Sequence, residues 1–329
     1  MKRAQPSRKL CLAILVLCVV LLAAYRAFFA DALAQNELIK SWFSDDDYRP
    51  AVLNTLVMDA LGSVVFVFMT LYMGYHVFTP LRKPWYKSLL FGLPALAVAI
   101  NNFPIIGLAT GNAYITDPAG GVLLIVAYCF AIGMFEEFAF RGLFYLMILD
   151  GRRKSTKQIF WTTAASCAVF GLVHLVNLFV GANPGATLLQ VGYSFLIGGM
   201  CAIVLLRTGS IWYCVLLHTV YDIGGTILYL GGGLRWDVVT VIVTAVLGVA
   251  VAVFMVISLL RIKPEDIAFL FPEKQTSAAV ASPENINAYT MAPRNVESMR
   301  ALSSLPICDA TSRVTVKPIP EVANVRAKE

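Results

Sequence analysis

The chain has 329 residues, of which 58% are hydrophobic and only 14% are charged, and its mean hydropathy is +0.73. Because a soluble domain carries about 25% charged residues, this composition excludes a soluble globular protein and predicts a polytopic protein of the lipid bilayer. The formal net charge of +6 does not indicate a nucleic-acid partner, because the basic residues lie between apolar segments and form no patch.

The apolar segments predict eight membrane-spanning helices, since most of them approach or exceed the roughly 20 residues that a spanning helix needs. Their approximate ranges are 10–30, 56–78, 86–110, 119–149, 158–180, 186–206, 210–230 and 238–261. The third is interrupted by Pro94, Asn101, Asn102 and Pro104. The predicted fold class is therefore all-α, a polytopic membrane protein of about eight transmembrane helices.

The first segment has an alternative interpretation. Basic residues precede its apolar stretch, as they do in a secretory signal peptide. The stretch from Leu10 to about Ala30 is longer than the usual signal-peptide core. This length favours a helix that the protein retains.

Charges in the connecting loops alternate along the chain. One set of alternate loops holds the acidic stretch 45–47, then Asp117, then Arg235 with Asp237. The N-terminus and the other loops are basic: Lys2, Arg3, Arg8, Lys9, Arg82, Lys83, Lys87, Arg152, Arg153, Lys154, Lys157 and Arg207. Lys and Arg are concentrated in the cytoplasmic loops of membrane proteins. We therefore expect a multi-pass protein of the plasma membrane with both termini in the cytoplasm.

The end of the chain differs in composition from the rest. Residues 263–329 are rich in Ser, Ala, Pro and Asn and lack sustained apolar periodicity, which predicts a disordered cytoplasmic tail. The chain thus divides into transmembrane helices 1–3 in residues 1–118, a second transmembrane region in 119–262 and the tail in 263–329.

Three ionisable residues lie near the middle of the fourth predicted span, where charges are costly and usually functional. Glu137 and Arg141 are four residues apart and can pair on one helix face, which alone would be compatible with a structural role. Glu136 points about 100° away from Glu137 and is left without this partner. An uncompensated carboxylate in an apolar setting suits general acid or base chemistry, so Glu136 is the predicted catalytic residue.

Two later spans carry polar residues at a similar depth. Counted inward from the basic loops, Glu136 lies about 14 residues deep, Asp222 about 15, His174 about 17 and His218 about 11. At 1.5 Å per residue they occupy one slab of the membrane. A lone histidine among apolar residues is more often a satisfied core group. Polar residues from three helices at one depth instead predict a single buried polar site.

For three other polar side chains near that site, a structural role is favoured over a functional one. Asn177, Tyr193 and Ser194 are placed where they could line the cavity, but helix packing is the favoured role for them.

Two chemistries fit this set of residues. In one, Glu136 is the general base for a water that His174 also orients, and His218 helps to stabilise the oxyanion. In the other, His174, His218 and a carboxylate such as Glu136 bind Zn²⁺, which lowers the pKa of its bound water. Either would hydrolyse an amide or ester that reaches into the membrane, and the spacing does not choose between them.

Three motifs carry a family resemblance. "EEFAFR" matches EExxxR, "FGLVH" matches FxxxH and "HTVYD" matches HxxxN/D, in that order within residues 136–222. Together they resemble the motifs of the CPBP family, the CAAX proteases and bacteriocin-processing enzymes, also called the Abi family. The resemblance implies an intramembrane endopeptidase with a CAAX-protease-like bundle of about eight helices, whose catalytic region would be residues 119–262.

The resemblance also implies roles for individual residues. Glu136 would be the catalytic glutamate assisted by Glu137 and Arg141, and His174 would help to activate the water. The remaining two motif residues would hold the oxyanion or the substrate, or contribute to a metal site: His218 and Asp222. The family was first described as metalloproteases, and a metal-independent glutamate mechanism is the competing view.

One position departs from the prenyl-protein proteases of this family, which have asparagine where this chain has Asp222. An ionised aspartate cannot donate a hydrogen bond to an oxyanion, so Asp222 must be protonated, bind a metal or orient His218 as an acceptor. The last role is favoured. The departure favours a bacterial-type peptide or protein substrate over a prenylated CaaX protein, although a membrane-embedded or lipid-modified partner is expected in either case.

Two other functions compete with proteolysis. A catalytically silent scaffold or immunity-type protein of the same family would usually have lost Glu136, His174 or His218, and all three are present. A proton-coupled transporter could use the same buried groups as a relay, but the inverted repeats that would favour it are not visible in the sequence.

Overall fold

The computed structural model describes residues 7–29, 48–78, 85–116, 120–234 and 236–272. Its α-helices are α1 (Arg8–Phe29), α2 (Arg49–Met73), α3 (Trp85–Leu90), α4 (Leu93–Asn101), α5 (Ile105–Ala109), α6 (Gly120–Glu136), α7 (Leu146–Gly151), α8 (Thr156–Val173), α9 (Pro184–Thr208), α10 (Ile211–Thr226) and α11 (Val238–Leu260). A π-helical segment, Glu137–Tyr145, joins α6 to α7. Single 3-10 segments follow α8, α10 and α11: His174–Val180, Ile227–Leu230 and Pro264–Leu270.

The predicted helical class is confirmed for the described ranges, while the predicted count of eight spans is not. Within the residues that the structure describes, six helices are long and apolar enough to cross a membrane: Arg49–Met73, Gly120–Gly151, Thr156–Phe179, Pro184–Thr208, Ile211–Leu230 and Val238–Leu260. Helix α1 occupies the place of the first predicted span but is not among the six.

The third predicted span is broken into three short helices, α3 to α5. Pro94 stands in the first turn of α4, Asn102 caps its end, and Pro104 precedes α5. Proline lacks the N–H that a helix interior requires and restricts the residue before it. The two prolines therefore stand where α4 and α5 begin, and Asn101 and Asn102 stand where α4 ends.

A small antiparallel sheet is the one element of another class in the described residues. Strands β1 (Ala113–Ile115) and β2 (Gly231–Gly233) pair with Ala113 opposite Gly233. Gly233 has φ 108°, a conformation that favours glycine. Because this pairing joins residues more than a hundred positions apart, the helical periodicity of the sequence gave no sign of it.

The predicted disordered tail begins too early. Residues 264–271 turn back onto the bundle, with Ile267, Leu270 and Phe271 buried. The Arg153 guanidinium lies 4.2 Å from the Phe271 ring centroid. The segment is only seven residues of 3-10 helix, too short to produce a periodic pattern, which is why it was missed; residues 273–329 of the predicted tail lie outside the described residues.

The core holds the polar residues of the fourth span in place. Helix α6 packs on α2, where Phe66 and Phe135 have ring centroids 5.2 Å apart, and a Cβ on Gly62 would lie 2.5 Å from the Phe135 ring. The π-helical segment is enclosed by α2, α8 and α10.

The orientation of the bundle in the membrane stays a prediction, because the charged positions 45–47, 82–83 and 117 lie outside the described residues.

Candidate active site

The helix that carries the acidic pair changes its winding at that pair. Glu136 is the last residue of α6, and the next nine residues form the π-helical segment, of which all but Phe144 are buried. π-Helical turns are rare and frequent at functional sites. At this change of winding the two neighbouring carboxylates, Glu136 and Glu137, lie near opposite nitrogens of the same imidazole ring, that of His218.

On the buried side, Glu137 joins two groups at one oxygen. Its Oε1 accepts a hydrogen bond from Nδ1 of His218 at 2.7 Å and lies 3.1 Å from Nη1 of Arg141. The side chains of Glu137 and Arg141 are only 0% and 3% exposed. The predicted pairing of Glu137 with Arg141 is therefore confirmed, and in so apolar a place each charge depends on the other.

An aromatic ring connects this ion pair to both histidines. The guanidinium carbon of Arg141 lies 4.0 Å from the Phe170 ring centroid, a cation–π contact. The same ring stands nearly perpendicular to the imidazoles of His174 and His218, at centroid distances of 5.3 and 6.3 Å. The phenylalanine of the FxxxH motif thus packs against three polar groups of the site.

On the other side of His218, the ring faces two carboxylates. Nε2 lies 3.5 Å from Oε2 of Glu136 and 3.6 Å from Oδ2 of Asp222. These two acidic side chains are 22% and 19% exposed, whereas His218 is 6% exposed. Because Nδ1 is bonded to Glu137, Nε2 is the ring nitrogen on the side of Glu136 and Asp222.

His174 is held by its own helix. Its Nδ1 donates to the carbonyl oxygen of Phe170 at 2.9 Å. A carbonyl oxygen only accepts, so the ring proton of neutral His174 is on Nδ1 and Nε2 is left as an acceptor. His174 begins the 3-10 segment that follows α8 and lines the same cavity as His218.

The cavity has a volume of about 670 Å³, within the range typical of small-ligand pockets. Four predicted site residues line it together: Glu136, His174, His218 and Asp222. The expected common depth of these residues agrees with this arrangement. The other two predicted residues, Glu137 and Arg141, lie behind the cavity wall and do not line it.

Two expectations are corrected here. Asn177, Tyr193 and Ser194 were expected to pack between helices, but all three line the cavity, and Asn177 Nδ2 donates to Gln190 Oε1 at 2.8 Å. The favoured role for Asp222 was to orient His218 as the acceptor of a hydrogen bond. Glu137 accepts the Nδ1 bond instead, because α10 turns that nitrogen toward the π-helical segment.

Sequence reasoning missed several polar residues of the cavity wall, among them Asp59 and Asn102. Asp59 lies within α2, and Asn102 follows α4 and donates to the Tyr221 carbonyl oxygen at 2.7 Å. Asp59 could have been found, since an acidic residue inside an apolar span is by itself a sign of a functional site. Asn102 was noted only as an interruption of the third span.

The acidic, histidine and cysteine side chains bear on the predicted metal site. Within the described ranges, no three side chains of His, Cys, Asp or Glu are grouped so that they could hold a metal ion. The expected zinc ligands Glu136, His174 and His218 all line the cavity, but they do not form such a group. We therefore derive no step through a metal, and zinc stays a prediction.

Comparison with known proteins agrees with the motifs. Residues 118–224 match the family model described as "Type II CAAX prenyl endopeptidase Rce1-like". Over 91 residues the chain is 30% identical to CAAX prenyl protease 2 of Saccharomyces cerevisiae, an alignment that covers 25% of this chain and 28% of the yeast protein. No solved structure matches the chain significantly.

Proposed function

The chain carries an Rce1-like region and fits the CPBP family, and on that premise we propose that it is an intramembrane endopeptidase. It would hydrolyse a peptide bond of a membrane-associated peptide or protein. The observation that carries the proposal is the cavity in which Glu136, His174 and His218 meet within a helical bundle. A carboxylate and two imidazoles in such a place suit the activation of water.

The attacking water is held between two acceptors. One of its hydrogens is donated to Glu136 and the other to Nε2 of His174, which is free to accept because Nδ1 bonds to Phe170. Glu136 removes a proton as the water oxygen attacks the carbonyl carbon of the substrate. Two acceptors fix the direction of the oxygen lone pair. This orientation lowers the entropic part of the activation barrier.

The developing oxyanion is stabilised by His218. The doubly protonated ring donates Nδ1–H to Glu137 and Nε2–H to the oxyanion, and the bond to Glu137 fixes the direction of this second donor. Asp222, 3.6 Å from Nε2, adds a negative charge that favours this imidazolium form. Glu136 then gives its proton to the leaving nitrogen as the C–N bond breaks, which releases an amine and a carboxylic acid.

Two features bear on the class of substrate, and they favour different classes. The yeast relative is named as a prenyl protease, which favours a prenylated CaaX peptide, whereas Asp222 in place of asparagine favours an unprenylated peptide or protein. A prenylated CaaX peptide and its unprenylated counterpart, assayed side by side, separate these alternatives.

The decisive variant is Glu136→Gln, which keeps the shape of the side chain and removes the base. We expect cleavage to fall by roughly 10³-fold, in the range of general acid–base contributions. The full chain is assayed in lipid nanodiscs with both peptides, and membrane peptides of cells that express either form are compared by mass spectrometry. Activity that survives exhaustive chelation would remove the zinc alternative.

The matched control is Glu265→Gln, which removes a carboxylate of the same kind from an exposed position that does not line the cavity. It should cleave like the parent protein. Undiminished cleavage by Glu136→Gln would refute the mechanism, whatever the substrate.

A further inference from the structure

Gly198 in α9 faces the buried side of the site. A Cβ at this position would lie 2.7 Å from Nη2 of Arg141 and 3.1 Å from Cδ1 of Phe170. Both distances are shorter than ordinary van der Waals contact. The missing methyl group therefore leaves room for two side chains at once, the guanidinium and the ring stacked on it.

The end of an arginine side chain usually moves aside at little cost, but this one is confined. The Arg141 side chain is 3% exposed, stacks on Phe170 at 4.0 Å and lies 3.1 Å from Glu137. A displacement of the guanidinium thus moves the charge that faces Glu137. Since Glu137 accepts the Nδ1 hydrogen bond of His218, the displacement is passed on to the imidazole.

We infer that Gly198 is a positioning residue, which acts on His218 through Arg141, Glu137 and Phe170. It contacts neither the cavity nor any group to which we assign a chemical step. The inference concerns the same site as the proposed endopeptidase activity, and its activity readout rests on that proposal. Its structural readout does not.

Two glycines of the same helix provide matched controls. A Cβ on Gly199 would overlap the methyl end of Met255, which is flexible and lies apart from the ion pair, and a Cβ on Gly192 would meet nothing within 4 Å. Gly199→Ala therefore reports on crowding alone, and Gly192→Ala on the change of residue type alone.

The three histidines of the chain make the structural test specific. Protein labelled with nitrogen-15 in its histidines gives imidazole signals from His76, His174 and His218 only. In lipid nanodiscs, Gly198→Ala should shift the His218 signals and leave those of His76 in place. Gly199→Ala and Gly192→Ala should leave all the His218 signals at their wild-type positions.

The activity test separates positioning from binding. Gly198→Ala should lower kcat by about 100-fold, the loss expected for a misplacement on the order of 1 Å at a reacting group, with KM little changed. The two control variants should keep wild-type kcat. If the wild-type protein cleaves neither peptide while the His218 signals still move in Gly198→Ala, the endopeptidase proposal fails and the positioning inference stands.

Folding of the variant is the remaining concern. If Gly198→Ala does not accumulate in membranes, the double variant Gly198→Ala/Phe170→Leu gives the guanidinium space to move, and its spectrum is compared with that of Phe170→Leu alone. The inference predicts that the His218 signals of the two differ. Identical His218 signals in that pair, or in folded Gly198→Ala and the wild type, would overturn it.

Discussion

The two sides of the His218 ring differ in how their charges are compensated. On the Nδ1 side, Glu137 and Arg141 are almost fully buried and face each other at 3.1 Å. On the Nε2 side, Glu136 and Asp222 are each about one-fifth exposed and border a cavity. One ring thus separates a closed ion pair from an open pair of acids.

This difference in burial and pairing indicates which acidic residues stabilise the fold and which are available for chemistry. A carboxylate paired in an apolar interior is strongly destabilising to remove, because its partner is left as an uncompensated charge. A carboxylate at a cavity wall is accessible to substrate and solvent. Adjacent residues of the sequence, Glu136 and Glu137, fall on opposite sides of this division.

The largest expected effect comes from breaking the closed side. Glu137→Ala should lower the free energy of unfolding by roughly 3–5 kcal/mol, because Arg141 loses its counter-charge and stays buried. Glu136→Ala, on the open side, should change it by no more than about 1 kcal/mol. Denaturant or thermal unfolding of both variants in the same detergent measures the difference.

A second variant checks that the cause is the unpaired charge. In Glu137→Gln/Arg141→Met both charges are absent, and much of the lost stability should return while cleavage stays low. Equal destabilisation by Glu136→Ala and Glu137→Ala would mean that the two sides of the ring are not distinct.

A smaller effect is expected within the open side itself. Asp222→Asn keeps the shape of the side chain and replaces an acceptor with a group that can also donate. We expect kcat/KM to fall by less than about tenfold, since an amide N–H can partly replace the lost electrostatic support of the oxyanion. The ratio of kcat/KM for the prenylated peptide to that for the unprenylated one should rise.

The comparison is sharpened by running Asp222→Asn beside Glu136→Gln in one assay. Both remove one negative charge near Nε2 of His218, and only Glu136 is assigned a proton-transfer step. A loss in Asp222→Asn as large as that in Glu136→Gln would show that the residue does more than support the imidazolium.

The sequence predicted those features of the site that depend on position along a helix. The pairing of Glu137 with Arg141 follows from a spacing of four residues, and the shared depth of Glu136 and His218 follows from counting residues inward. Both rules are one-dimensional. They do not depend on how the helices are rotated about their axes.

What could not be predicted depends on that rotation or on local changes of winding. The bond between Glu137 and His218 joins residues 81 positions apart, and no periodicity fixes which ring nitrogen faces which carboxylate. The π-helical segment 137–145 reads in the sequence as ordinary helix. The prediction of a continuous third span was wrong for a different reason. Its prolines lack the N–H that a helix interior needs, and the apolar runs between them are too short to span a membrane.

The smallest effect we predict concerns two amide side chains of the cavity wall, Asn177 and Gln190, which would hold a substrate and take no part in its cleavage. Asn177 and Gln190 share one hydrogen bond at 2.8 Å, which leaves an amide acceptor and an amide donor to match a peptide group of the substrate. Asn177→Ala should raise KM by about 3–10-fold, the equivalent of one hydrogen bond, with kcat unchanged.

The matched control for this variant is Asn183→Ala, at the residue that precedes α9. Asn183 caps α9 by accepting from the Ala186 N–H and does not line the cavity, so its loss should cost about 1 kcal/mol of stability and leave KM unchanged. If Asn177→Ala instead lowers kcat at constant KM, the Asn177–Gln190 pair acts in the chemical step and not in substrate binding. The residues that act together with Nε2 of His218 would then include this amide pair as well as Glu136 and Asp222.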